Sequence, residues 1–269
     1  MTAIHLASTG TDQAALLRED EGGVATLTLN RPEQYNAIST GLLFELQKAV
    51  DAIARDPSIR VVVIAGAGKA FCAGHDLKEI RERHNRRFVK DVFERCARFM
   101  VSLTRMPQPV IARVHGPAFA AGCQLVAQCD LAVASTDATF ATSGVKFGLF
   151  CNTPGVSLAR NVSRKQAMEL LLTGEPINAQ TALARGLVNR VVPPEKLDEE
   201  VACLAQSILE KTPVAVAAGK RLFYRQVESG LTEAYEIASE AMVANAMTED
   251  AREGIDAFAQ KRKPRWKNK

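Results

Sequence analysis

Three short apolar runs decide what this chain can fold into. RVVVIAG (60–66) and PVIARV (109–114) are continuous stretches of β-branched and aliphatic residues, and DLAVAS (130–135) follows as a third strand. A strand that is apolar on both faces has to be covered on both faces, the situation of a parallel sheet flanked by helices. The intervening segments supply those helices. STGLLFELQKAVDAIARD (39–56) places apolar residues at 42, 43, 46, 49, 50 and 53 behind a Ser/Thr cap, which is helical spacing. A polar helix is predicted across 86–105, and an apolar one within FAAGCQLVAQCD (119–130). GGVATLTLN (22–30) alternates as a strand, RPEQYNAIS turns the chain at Pro32, and ATFAT adds a short strand past 135. Strands and helices in this rhythm specify an α/β fold with a largely parallel sheet.

Beyond about residue 195 the rhythm changes. Four helical segments follow one another with no strand between them, starting at EKLDEEVACLAQSILEK and ending at TEDAREGIDAFAQKRK. The chain therefore divides into a core, 1–195, and a helical region, 196–269, which packs on its own core or on a neighbouring subunit. No internal repeat stands out. With 47% hydrophobic and 24% charged residues in 269, a large core forms without staples. No run of 18 apolar residues occurs, so no membrane span is expected. The first 17 residues lack the basic and apolar regions of a signal peptide and the arginines of a transit peptide, which predicts a cytoplasmic location. Six cysteines, at 72, 96, 123, 129, 151 and 203, form no C-x-x-C pair and no zinc spacing, so isolated thiols and no metal site are expected.

The chemistry-bearing residues are few. GAGKAF (66–71) follows a strand and nearly spells a dinucleotide loop, but Phe71 stands where the last glycine belongs, and no phosphate-binding G-x-x-x-x-G-K-[ST] occurs. Its glycines serve a tight turn or a close backbone approach to a ligand. Cys72 and His75 share a loop and make a candidate thiol–imidazole pair. His5, His84 and His115 have no partners in sequence. Between Arg95 and Met168 only two carboxylates appear, Asp130 and Asp137, although the chain has 30 acidic residues. Asp130, where helix gives way to strand, is read as a hydrogen-bonding residue, and Asp137 as a turn residue. Two basic stretches, 81–90 and 261–269, read as solvated surface or as phosphate contacts. A net charge of only +4 and a single Trp266 argue against nucleic acid as a partner.

Five stretches belong together: LNRPEQYNAIS (29–39), GKAFCAGHDLKEI (68–80), PVIARVHGPAFAAGCQLVAQCDLAVAS (109–135), LLTGEPINAQTALARGLVNRVV (171–192) and EGIDAFAQKRKPRW (253–266). In this order they resemble the enoyl-CoA hydratase/isomerase (crotonase) family over residues 14–266. The resemblance implies a crotonase-like spiral of ββα units with an acyl-CoA site and a C-terminal helical trimerisation region, giving homotrimers or hexamers. It implies a backbone oxyanion hole from the N–H groups of His75 and Ala121, acting on the thioester of a fatty acyl-CoA or 2-enoyl-CoA in fatty acid metabolism. Substrate contacts fall by motif position on Asn36, Ala37, Ala73, Gly74, Asp76, Leu77, Lys78 and Asn152. Coenzyme A then enters as part of the substrate, with no separate cofactor and no metal, and the basic tail is placed to meet its phosphates.

Two departures qualify what the resemblance implies. Family hydratases use two glutamates to add water; the corresponding positions here are Gln124 and Gly144. Gln124 holds water but takes no proton at neutral pH. The position where some family isomerases carry an aspartate is Asn152. The polar groups left near the site are His75, Gln124, Thr142, Lys146, Cys151, Asn152 and Thr153, of which His75 alone titrates near neutrality when unperturbed. Two readings stay open: an enzyme of the hydratase or isomerase type (lyase or isomerase) with a weakened acid–base site, and a catalytically silent acyl-CoA-binding protein.

Overall fold

The computed structural model describes residues 14–269; the expectation for His5 lies outside them. A six-stranded sheet contains β1 (Leu16–Glu21), β2 (Val24–Leu29), β3 (Val61–Gly66), β4 (Val110–Val114), β6 (Leu131–Ser135) and β9 (Arg190–Val192), in that spatial order. A smaller sheet orders β5 (Ala118–Phe119), β7 (Thr139–Ala141) and β8 (Ile177–Asn178). From β2 to β9 the large sheet is parallel, and only β1 runs antiparallel, against β2. The helices of the core are α1 (Thr40–Ile53), α2 (Leu77–Glu82), α3 (Arg86–Arg105), α4 (Ala121–Gln128), α5 (Asn152–Leu158), α6 (Arg164–Thr173) and α7 (Ala179–Ala184). Then come α8 (Leu197–Leu209), α9 (Pro213–Gln226), α10 (Leu231–Ala246) and α11 (Glu249–Ala259).

A unit repeats that no sequence repeat announces. One strand enters the large sheet, the chain then crosses to the smaller layer, and a helix returns it. β4–β5–α4 and β6–β7–α5 are two such units. The units led by β2 and β3 touch the second layer only through single bridges, Ile38 to His75 and Cys72 to Ala118. Four turns of a spiral result, and the short second layer carries the site.

The apolar runs are covered on both faces, as their composition requires. Val62 and Ile64 of β3 join the main core with Leu42, Leu46 and Val50 of α1 and Phe99 and Leu103 of α3. Val61 and Val63 face the other way, against Leu197, Val201, Leu204 and Ala205 of α8. The first helix past residue 195 thus closes the second face of the sheet. β1, with its charged LLREDE, escapes a search for alternation because an edge strand exposes most of its side chains.

Asp130 ties the C-terminal helices to this core. Its carboxylate accepts from the Val110 N–H at 2.7 Å, from Lys220 Nζ at 2.6 Å and from the Tyr224 hydroxyl at 2.8 Å. Lys220 also donates to the carbonyls of Leu103 and Gln108. Burial pushes the Lys220 ammonium down while Asp130 pulls it up. Burial and Asp130 both push the Tyr224 hydroxyl up. The structural reading of Asp130 holds, and Asp137 lies in an exposed turn. Removing one partner of a buried pair strands the other, at a cost of about 3 kcal/mol. Lys220→Met is therefore expected to lower stability to urea by about that much, whereas Lys48→Met, at an exposed position, should stay within about 0.5 kcal/mol of the parent.

Candidate functional site

Two backbone segments meet to build the site: the loop after β3 and the entry to α4. The Ile38 N–H donates to the Gly74 carbonyl at 2.7 Å, and the Ile38 carbonyl accepts from the Asp76 N–H at 3.0 Å. In a parallel bridge of this kind the residue between, His75, turns its own N–H to the opposite side. That side carries β5 and the start of α4, to which Cys72 is bridged through Ala118. No hydrogen-bond acceptor within the described residues takes the His75 N–H or the Ala121 N–H. Ala121 is the first residue of α4, and Ala120 before it offers no side-chain cap. The partial positive charge of the helix terminus is therefore open.

Glycine makes this approach possible. A Cβ on Gly122 would collide with the Cys72 carbonyl oxygen and stand 2.8 Å from the Cys72 Cβ. A Cβ on Gly74, whose φ is +103°, would stand 2.9 Å from the Ala120 Cβ and 3.3 Å from the Ala121 nitrogen. Ala120 itself adopts φ 48°, ψ −114°, a conformation costing a non-glycine residue about 1–3 kcal/mol.

A cavity of about 350 Å³ opens beside these donors. Leu77, Ile80, Phe93, Phe147, Leu149 and Phe150 form its apolar wall, and Ala73, His75, Ala121, Ser143, Gly144, Cys151, Asn152 and Thr153 also line it. Among the described residues no carboxylate, lysine or arginine lines it. The structure thus gathers His75, Ala121, Gly144, Ala73, Leu77 and Asn152 from segments far apart in sequence. Gln124, buried one turn into α4, is not on the cavity wall, and its Oε1 has no hydrogen-bond partner. Thr142 Oγ1 is likewise buried and unpartnered. Gly74 lies behind the wall, and Lys78 is exposed.

Other predicted positions serve the frame. Asn36 is fully buried at φ 56°, donating to the carbonyls of Ala67 and Ala70 and accepting from the Arg31 N–H. It pins the 66–71 turn, which is what those glycines serve. Asp76 caps α2 and pairs with Arg31 at 2.9 Å, and Arg31 also donates to the Ala37 carbonyl. Lys146 points away to Glu175 at 2.8 Å. The basic tail is docked: Trp266 Nε1 donates to the Glu210 carbonyl, Arg262 pairs with Glu253, and buried Asp250 accepts from the N–H groups of Lys267 and Asn268. Sequence reasoning missed Ile80, Phe93 and the Phe147–Phe150 segment as cavity wall. KFGLF (146–150), three large apolar residues with no strand or helix pattern of their own, was the available signal for the last.

The thiol–imidazole pair within the 72–75 loop does not form. Cys72 is enclosed, and burial pushes its thiol up to about 12. Neither His75 ring nitrogen has solvent contact or a hydrogen-bond partner. The ring meets Phe93 edge-on, with centroids 5.1 Å apart. Burial lowers its pKa to about 4, against weaker upward pulls from the Ile38 backbone, whose contact falls short of hydrogen-bond geometry, and from Glu79. The imidazole is therefore neutral at pH 7.

Because the folded protein disfavours the protonated ring, the unfolded chain binds the proton first as pH falls. Stability is full above the ordinary histidine value of 6.5 and is lost between there and about 4, by about 3 kcal/mol for this group. Urea titrations at pH 7 and pH 4.5 should show His75→Phe losing less stability than the parent; equal losses would refute the buried neutral imidazole. Gly122→Ala is expected to cost 3 kcal/mol or more, about the largest single-site effect here, since backbone must move.

The profile of the enoyl-CoA hydratase/isomerase family matches residues 19–269. Enoyl-CoA hydratase domain-containing protein 3, mitochondrial, of Xenopus laevis is 48% identical over 248 residues, 92% of this chain and 84% of that protein. The Homo sapiens protein of that name is 47% identical over 91% of this chain and 80% of its own length. Among solved structures, an enoyl-CoA hydratase of Mycobacterium smegmatis superposes with a TM-score of 0.93 at 53% identity, covering 94% of this chain and 99% of that one. Human enoyl-CoA hydratase domain-containing protein 3 gives 0.92 at 45% identity, covering 94% and 100%. AAGCQLVAQCDLAVAS, FATSGVKFGLFCNTPGV and AFAQKRKPRW carry the resemblance to this narrower group. The mitochondrial names of these relatives overturn the expected cytoplasmic location, which rested only on patterns that the first residues lack. By sequence over nearly its whole length, and by fold, the chain belongs to the enoyl-CoA hydratase/isomerase family.

Proposed function

We propose that the chain binds acyl-CoA thioesters, with the acyl group in the 350 Å³ cavity and the carbonyl oxygen between the N–H groups of His75 and Ala121. One observation carries this reading: among the described residues, two backbone donors without partners stand beside an apolar cavity that holds no charged side chain. A thioester needs both features, donors for its oxygen and an oily wall for its chain. Each donor is worth about 3–4 kcal/mol when charge develops on the oxygen. Coenzyme A lies toward exposed Ala73, Leu77 and Lys78, while Asn36, Ala37, Gly74 and Asp76 hold the loop in shape, and Asn152 opens α5 on the opposite wall. No metal or separate cofactor takes part, and the place of such a protein is fatty acid metabolism.

The proton-transfer half of a hydratase is missing. Gly144 has no space for a side chain: its Cβ would collide with the Leu149 carbonyl oxygen and stand 2.7 Å from Cys151 Sγ. Where the resemblance puts the second glutamate, the 144–151 turn leaves no room for a side chain, so on this reading one substitution does not restore it. General acids and bases supply about 10²–10⁴ each. This packing favours the second reading, an acyl-CoA-binding protein without hydration turnover.

The exposed apolar face of the C-terminal helices fits self-association. α10 has no buried residue, and exposed Leu231, Tyr235 and Met242 form one stripe on it; Met247 and, on α11, Phe258 are also exposed. We infer a homotrimer, or a hexamer of two trimers, packed through this face.

Calorimetry with butyryl-CoA and octanoyl-CoA is expected to show binding, and no heat at millimolar ligand would refute the acyl-CoA reading. Turnover of crotonyl-CoA near that of family hydratases would refute the silent reading alone.

A further inference from the structure

We propose that the cavity selects acyl-CoA thioesters of medium chain length, up to about twelve acyl carbons, and that the Phe93 ring sets this limit. The inference rests on the acyl-CoA reading and adds to it a substrate class and the residue that determines it.

The limit follows from volume. An apolar cavity of about 150 Å³ accepts one benzene ring, about 25 Å³ for each carbon. A cavity of about 350 Å³ therefore takes about 14 non-hydrogen atoms. The thioester oxygen and sulfur use two of these places, which leaves about twelve for acyl carbons. The large side chains of the wall are all aliphatic or aromatic, so they suit a hydrocarbon chain along its length.

A limit of this kind holds only where the wall cannot give way, and the large apolar side chains differ in that respect. Leu77, Phe147, Leu149 and Phe150 are exposed and can turn outward into solvent. Ile80 belongs to α2, a short helix that buries none of its residues. Phe93 belongs to α3, which is rooted in the main core through Cys96, Phe99, Met100 and Leu103. Its neighbour Val92 is buried as well. The Phe93 ring also rests edge-on against the His75 ring, and His75 sits on the backbone bridge to Ile38 that fixes the donor loop. Pushing Phe93 aside means moving either a core helix or the loop that holds the carbonyl oxygen, and close-packed interiors resist both. A chain longer than the cavity leaves its surplus methylenes in water, where they add no affinity.

Calorimetry of the full chain with butyryl-, octanoyl-, dodecanoyl- and hexadecanoyl-CoA, kept below the micelle concentration of the last, tests this. Each methylene that enters the cavity should tighten binding up to about fourfold. Octanoyl-CoA is therefore expected to bind at least tenfold tighter than butyryl-CoA, and dodecanoyl-CoA at least tenfold tighter again. Hexadecanoyl-CoA should bind within threefold of dodecanoyl-CoA, or more weakly. Phe93→Ala removes one ring, about 150 Å³, which makes room for about six more carbons. The ratio of hexadecanoyl-CoA to dodecanoyl-CoA affinity should then rise at least tenfold, and in the milder Phe93→Leu at least threefold. Because the ratio is read within each variant, a uniform loss of binding, which a merely structural role for Phe93 would give, leaves it unmoved. Affinity that levels off by octanoyl-CoA, or hexadecanoyl-CoA more than threefold tighter than dodecanoyl-CoA in the parent, overturns the length limit. A ratio that rises less than threefold in both variants overturns the role of Phe93. Either result leaves the acyl-CoA reading standing, whereas no binding of any of the four thioesters overturns both.

Discussion

The contact between the Cys72 carbonyl and the bare α-carbon of Gly122 fixes the geometry around the cavity. It sets how closely α4 approaches the loop after β3, and so the spacing of the two free N–H groups. Gly74 and the strained turn at Ala120 follow from it, because the chain has to enter α4 without a side chain in the gap. The other end of the helix is held just as firmly. Cys129 closes it, and the next residue, Asp130, is anchored to β4 through Val110 and to α9 through Lys220 and Tyr224. A helix of two turns with a fixed start and a fixed end cannot slide, and a donor at its first residue stays where it is put. Preorganisation here is a property of backbone packing and needs no particular side chain at 75 or 121.

The C-terminal helices divide by what they cover. α8 completes the sheet, and α9 reaches the core through the polar cluster around Lys220. α10 packs on α9 and buries none of its own residues fully. A boundary at residue 195 thus marks a change in element type, from alternating strands to consecutive helices. In packing, α8 and α9 belong with the sheet.

The sequence made the large sheet and its long helices legible because burial on both faces leaves a continuous apolar run, and α1, α3, α8, α9 and α11 have amphipathic or capped patterns. It hid the second layer. β5 and β8 have two residues each, and the Ile38 and Cys72 contacts are single bridges, far too short to carry periodicity. The site lies in that layer, so its backbone donors could be located only through motif resemblance. The missing acids were visible as a stretch nearly free of Asp and Glu between Arg95 and Met168. That Gly144 lacks room for any side chain was not visible, since it depends on Leu149 and Cys151 folding back over it. Likewise Cys72 is nearer to His75 in sequence than Cys151 is, yet the bridge to Ala118 encloses Cys72 while the turn after β7 brings Cys151 to the cavity.

The loss of the two acids changes more than proton transfer. On the proposed reading, a thioester oxygen gains negative character between two N–H groups at a helix start. A carboxylate about 6 Å away, at an effective dielectric near 20, would oppose a full charge there by about 3 kcal/mol. A hydratase tolerates that opposition because its acids must be near the substrate to move protons. With Gln124 and Gly144 in their places, the opposition disappears and the positive end of α4 acts alone. On that same reading, neutral residues at 124 and 144 strengthen the hold on any species with charge on the carbonyl oxygen, the enolate above all.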